Sequence, residues 1–144
     1  MKLVLNNDEL SFDFFDNTRL LGIIATMKNY HFCWQVNQQL GVKFVYNNDI
    51  DIHLKRKRRD YFFNLYTWQQ PETQLVHYIY HNQNDGEYLL PEFKHIDFLW
   101  LMKGDYVEPK TCEQIINSIK QINGVQLVTE LTNEQIKTKG NLVF

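Results

Sequence analysis

The sequence predicts an α+β fold: a single antiparallel β-sheet with two main helices and a short C-terminal helix packed on it. Three observations carry this. Residues 60–68 and 74–81 are consecutive aromatic and β-branched runs joined by a loop holding Pro71, the pattern of a hairpin. Residues 28–40 and 111–122 repeat apolar side chains every three to four positions, the period of a helix. No Pro/Gly-rich or low-complexity stretch divides the 144 residues, so one domain, 1–144, is expected.

The elements follow in chain order. Leu20–Ala25 is a short apolar run and reads as a strand. In residues 28–40, Phe32, Cys33, Val36 and Leu40 share one side, and His31, Gln35 and Gln38 lie opposite. Gly41 ends that helix. Phe44–Tyr46 is a possible short strand, and Ile50, Ile52 and Leu54 alternate with polar residues as a half-buried strand does. After the hairpin, Asn84-Asp85-Gly86 is a second turn signal leading into residues 87–90. Residues 96–102 form the most apolar run and are expected to be a central strand. Thr111-Cys112-Glu113-Gln114 has the spacing of a capping box, with Ile115, Ile116, Ile119 and Ile122 as the buried stripe behind it. Val125, Leu127 and Thr129 alternate as a further strand. Thr132-Asn133-Glu134-Gln135 repeats the box pattern before a short helix, and Leu142-Val143-Phe144 is expected to add edge contacts.

Composition narrows the function classes. Hydrophobic residues make up 44% and aromatics 15%, too apolar for a disordered chain. The net charge of −2 draws the protein neither to nucleic acid nor to anionic lipid. Met1–Asn7 holds only a three-residue apolar run, shorter than a secretory signal requires, and no stretch reaches the ~20 apolar residues of a membrane span. A cytoplasmic location without membrane attachment is therefore expected. Two cysteines, Cys33 and Cys112, both on helical apolar stripes, fit buried free thiols rather than a disulfide framework.

The segment Leu90-Pro91-Glu92-Phe93-Lys94-His95-Ile96-Asp97-Phe98 resembles the signature of the IPExxxVDY family of small Bacteroidetes proteins. Leu stands for the first Ile, Ile for Val and Phe for Tyr. Leu21-Gly22-Ile23, Tyr30-His31-Phe32-Cys33-Trp34 with Asn37, and the closing Lys139-Gly140-Asn141-Leu142-Val143-Phe144 are also similar to that family, so the likeness covers nearly the whole chain. The resemblance implies a bacterial cytosolic protein. It implies no particular activity, ligand or catalytic residue.

The chemistry-bearing residues sort into four groups. His77 and His81 have the four-residue spacing of helical zinc motifs, but in a strand four residues span ~13 Å, too far for two ligands of one ion. No metal and no cofactor is expected, and the histidines read as ordinary half-exposed ones. Cys33 lacks any local signature of a nucleophile and reads as a small apolar residue of the helix stripe. Lys55, Arg56, Lys57, Arg58 and Arg59 form the one strong charge cluster. With Tyr61 and Tyr66 beside them they could grip phosphates. Asp49, Asp51 and Asp60 flank them, however, and the expected reading is a solvated loop, with nucleic-acid binding not favoured.

Pro91, Glu92 and Asp97 are the motif residues, and they read as a structural corner more than as a catalytic pair. Asp97 interrupts an apolar strand, so its carboxylate should take hydrogen bonds from backbone donors of the preceding turn, and Glu92 should be the more exposed of the two. The leading functional reading is a non-enzymatic binding or assembly module. The alternatives are an RNA-associated accessory protein acting through residues 55–59 and a small enzyme centred on Glu92, His95 and Asp97. Helices in so short a chain could leave one aromatic sheet face uncovered, which predicts a homodimer, or a protein partner, on that face.

Overall fold

In Arg19–Ala25 (β1), Leu21, Ile23 and Ala25 alternate with Leu20, Gly22 and Ile24, so the strand carries apolar side chains on both faces and needs cover on both. A computed structural model describes residues 14–144 and shows that cover. Met1–Asn7, which carries the signal-peptide argument, lies outside the described residues.

The remaining elements are α1 (Asn29–Leu40), β2 (Val45–Tyr46), β3 (Ile52–Arg56), β4 (Arg59–Phe63), β5 (Leu65–Gln69), β6 (Val76–His81), β7 (Gln83–Asn84), β8 (Glu87–Tyr88), β9 (Phe98–Lys103), α2 (Pro109–Lys120) and β10 (Val125–Leu131). Short 3₁₀ turns lie at Pro91–Phe93, Asn133–Gln135 and Lys139–Leu142. Six strands form one sheet in the order β10-β1-β9-β6-β5-β2, and every neighbouring pair is antiparallel. This is the α+β architecture expected, with β9 central.

One face of the sheet presents Leu21, Ile23, Ile79, Phe98, Trp100 and Met102 to the two helices. Phe32, Cys33 and Val36 of α1 and Cys112, Ile119 and Ile122 from α2 and its end close that core. The opposite face presents Leu20, Leu65, Tyr80, Leu99 and Leu101. It is closed by Ile52, Leu54, Tyr61 and Phe63 of the β3–β4 ribbon, by Leu89 and Leu90, and by Leu142 near the end of the chain. The aromatic face on which a homodimer was expected is thus covered by the chain itself. Gly22 leaves room behind β1 for Ile96, whose Cδ1 would have to shift from a Cβ placed 2.6 Å away. Gly104, at φ +116°, lets the chain pass Gln74, whose carbonyl oxygen a Cβ would strike at 2.0 Å.

Several expectations need correction. The run 60–68 is two strands, because the ladder partner changes at Asn64 from β3 to β6. Tyr61, Phe63 and Leu65 keep facing the same core across the break, so the alternation gives no sign of it. β9 begins at Phe98, not at 96: Ile96 N–H closes a turn on Phe93 O, and Ile96 packs with Leu99 and Leu101. Helix α2 starts at Pro109 with Glu108 as N-cap, which places Thr111 inside the first turn, where it caps nothing. Proline lacks the N–H that a cap would satisfy and has the right φ for a first helical residue. On β10, Val128 and Leu131 are buried while Leu127 is exposed. The short C-terminal helix is a 3₁₀ turn, opened as expected by Thr132 N–H donating to Gln135 Oε1 at 2.9 Å. In the C-terminal segment Leu142 is core rather than edge, fully buried, while Val143 is half-buried and Phe144 exposed.

Candidate functional site

On the helix face, β6 places His77 on the same side as Ile79, and β9 places Trp100 beside them. His77 is only 2% exposed, not half-exposed as expected from the sequence. The Trp100 indole N–H donates to His77 Nδ1 at 3.0 Å. An indole can only donate, so Nδ1 is the acceptor and the ring proton lies on Nε2, which faces Gln70 Oε1 at 3.2 Å. Burial pushes the His77 pKa down to about 4, so the ring is neutral at physiological pH.

Aromatic rings pack around this pair. Trp68 stacks on His77 at 4.9 Å between centroids, and Phe44 meets Trp100 edge-on at 5.1 Å. Phe44 is held by Asn37 of α1. Its N–H donates to Asn37 Oδ1 at 2.8 Å, and Asn37 Nδ2 donates back to its carbonyl at 3.1 Å. The side-chain amide mimics a strand partner just after Gly41 ends the helix in a left-handed conformation.

Above the rings a cleft of about 430 Å³ opens between the end of α1, the first turns of α2 and the β5–β6 hairpin. Leu40, Val42, Trp68, Pro71, Trp100 and Ile115 form its apolar walls, with Gln70, His77 and Thr111 as the polar side chains. Because His77 spends both ring nitrogens inside the protein, it offers a guest no free donor, and the half-buried Trp68 is the ring that a guest meets. Sequence reading missed this group. The usable signal was that His77 alternates in phase with Ile79 on β6, which puts it on the inward face.

The motif carboxylates are held elsewhere. Glu92 accepts from Lys137 N–H at 2.6 Å, from Thr138 N–H at 2.8 Å and from the Thr138 hydroxyl at 2.5 Å. Burial alone would raise its pKa, but the hydrogen bonds from Thr138 and its neighbours outweigh that and hold it below the usual carboxylate range. Asp97 accepts from Ala25 N–H at 2.9 Å, beside the irregularity where β1 slips register against β10. The donor is across the sheet, not in the preceding turn. Both carboxylates are half-buried, and His95 is exposed; no hydrogen bond joins the three.

The residue that organises the motif segment is Asn82, which is fully buried. Its Nδ2 donates to Phe93 O at 3.0 Å and Ile96 O at 2.9 Å, and its Oδ1 accepts from Leu90 N–H at 2.9 Å. Pro91 starts the 3₁₀ turn inside this frame.

The basic run is the tip of the β3–β4 ribbon rather than a loop. Lys57 and Arg58 form a two-residue turn at φ +51° and +63°, with Arg56 paired to Arg59. Arg59 pairs with Asp85 and lies over the Tyr61 ring at 4.7 Å. Asp60 pairs with His53 at 2.8 Å. Both cysteines are buried free thiols. Burial pushes Cys33 far above the thiol range and, with Glu130, takes Cys112 to about 11, so neither is a thiolate at neutral pH.

Among the described residues, no three His, Cys, Asp or Glu side chains gather as metal ligands, and no helix is long and apolar enough to cross a membrane. No family model matches the chain, and no curated protein matches it at a significant level.

Proposed function

We propose that this chain is a non-enzymatic binding module whose cleft over His77 and Trp100 takes an apolar, ring-bearing ligand. The observation that carries the reading is the cleft itself: apolar walls around aromatic rings, with the buried polar atoms of its floor already paired to each other. Such a site gains from displaced water and ring stacking without stranding a polar group. A binding role also fits the carboxylates of the motif, which are taken up by backbone donors, and the two protonated thiols. Unpaired buried thiols fit a cytoplasmic setting.

Titration with phenylnaphthylamine, a neutral apolar dye, tests this. Dye emission should rise and the emission of Trp68 and Trp100 should fall by energy transfer. Ile115→Trp, at a half-buried wall position, should fill the cleft and abolish both changes. Unaltered dye binding by Ile115→Trp would remove the reading.

A further inference from the structure

Three open cavities adjoin one another on residues that take no part in the apolar cleft, and Asn64 borders all three. The first, about 240 Å³, lies between Tyr46, Asn48, Asp51 and Phe62. A small second one links it, past Phe62 and Asn84, to a third of about 510 Å³ bounded by His81, Gln83, Asp97 and residues 25–29. Together they make one continuous groove.

Two large rings stand open along it: Tyr46 is 53% exposed and Phe62 56%. Phe62 is held flat by stacking on His53, 4.9 Å between centroids, and by Asn84 Nδ2, which donates to its carbonyl. The side-chain amides of Asn48, Asn64 and Gln83 take part in none of the hydrogen bonds among the described residues. The groove therefore combines ring faces with unspent donors and acceptors.

The ribbon that carries Phe62 ends in the basic tip. Three residues of strand, about 10 Å, separate Phe62 from Arg59. Of the flanking acids Asp49, Asp51 and Asp60, none pairs with a cation of the run among the described residues. Asp60 is engaged by His53 and Asp85 by Arg59, while Lys55, Arg56, Lys57 and Arg58 are exposed and have no ion-pair partner among the described residues. Lys57 and Arg58 also occupy a turn in which both residues are left-handed, a conformation that favours Asn-Gly. The ribbon thus keeps cations at a position where they cost stability.

We propose that this groove binds single-stranded nucleic acid, with bases stacked on Phe62 and Tyr46 and phosphates passing the cations at the ribbon tip. Unstacked bases present both a ring face and hydrogen-bonding edges, which is the pair of features the groove matches. Asp51, and the Asp97 oxygen that does not accept from Ala25 N–H, suit exocyclic amino groups of bases rather than phosphates, so the backbone runs along the ribbon side. The tip's charge selects a polyanion over a neutral chain such as an oligosaccharide.

The test is fluorescence anisotropy of a labelled mixed-sequence RNA of about ten nucleotides with the full chain, between about 50 and 200 mM salt. Binding should weaken with salt. Replacing Lys57 and Arg58 by Gln should reduce the slope of log K against log salt by about 1.4. Phe62→Ala should weaken binding about tenfold with the slope unchanged, and Phe62→Tyr should restore it. All three positions are exposed, and circular dichroism should show each variant folded. No binding at the lower salt, full binding by Phe62→Ala, or salt-independent capture of a neutral oligosaccharide instead of RNA would each overturn the proposal.

Discussion

Both sides of the sheet are closed by apolar side chains, but on the ribbon side polar side chains also tie down the backbone of the covering segments. Phe32 stacks on Phe98 at 4.3 Å between centroids, and the isoleucines of α2 press on the same strands. Behind the sheet, Asn82, Glu92 and Asn141 reach backbone groups of irregular segments, and the Tyr80 hydroxyl donates to Leu142 O at 2.8 Å. The reason is elementary. Helices satisfy their own backbone and can leave a gap between them, which here is the apolar cleft. Turns and coil pressed onto a core must find partners for each buried N–H and C=O, and polar side chains supply them. Polar residues on that side are therefore expected to act first on stability.

The strongest way to break this contrast is Asn82→Ala. It strands the Ile96 carbonyl and the Leu90 N–H in the core, at roughly 1–3 kcal/mol each before relaxation, while Phe93 O keeps the Ile96 N–H. A fall in melting temperature of about 10 °C or more is expected by differential scanning calorimetry. A shift within a few degrees would mean that water or rearranged backbone replaces the amide.

Next comes acid. His77 is held at about 4 in the folded protein and returns to about 6.5 when unfolded. The unfolded chain binds the proton first, so stability is full above pH ~6.5 and declines down to pH ~4, by about 3 kcal/mol in all. His81, also held low by burial although Asp97 pulls the other way, adds to the same window. His77→Gln, which can still accept from the Trp100 indole, should flatten urea midpoints measured across that range. An unchanged pH profile would move the titration to other groups.

Glu92 should show a smaller and distinct effect. Its folded pKa is depressed, so its contribution is present above the unfolded value and disappears as pH falls through the folded one, starting at the acid end of the histidine window. Glu92→Gln should leave the profile above pH ~5 parallel to the parent and soften the loss below it. At neutral pH, Glu92→Ala should cost more than Asp97→Ala, because Glu92 serves three donors and Asp97 one. Thermal melts of the two variants decide the order. The smallest effect is expected at Thr111, where Thr111→Ala should stay within about 0.5 kcal/mol of the parent; a larger loss would restore a capping role.

These outcomes also mark what could be read in advance. Period-2 and period-3.6 patterns locate most of the sheet and both helices, because one buried side of a regular element leaves its spacing in the sequence. They do not reveal which strand pairs with which, so the ladder change at Asn64 and the ribbon folding back over the second face passed unseen. The capping boxes show the same limit. Thr132 and Thr111 have equivalent local spacing, and only the proline two residues before Thr111 tells them apart. At the site level, the basic run and the motif were visible as residue types. His77 was visible by its spacing to His81 but not as a buried ring, and Asn82 and Asn64 were not visible at all, since an amide or imidazole becomes informative only when its partners, distant in sequence, are known.

The position of β1 has a consequence for the time course of synthesis. It is the first strand described, yet it lies between β9 and β10, which are made last. Its ladders, Leu20 to Leu101 and Leu20 to Leu131, join the two ends of the chain. A ribosome exposing the first half of this protein therefore displays Leu20, Leu21 and Ile23 with no strand yet available to pair them. The β5–β6 hairpin and the ribbon can form early, but the sheet cannot close until β10 has emerged, and the core behind it stays open until Leu142 follows. Nascent chains of this protein are thus expected to need chaperone shelter for nearly the whole of their translation.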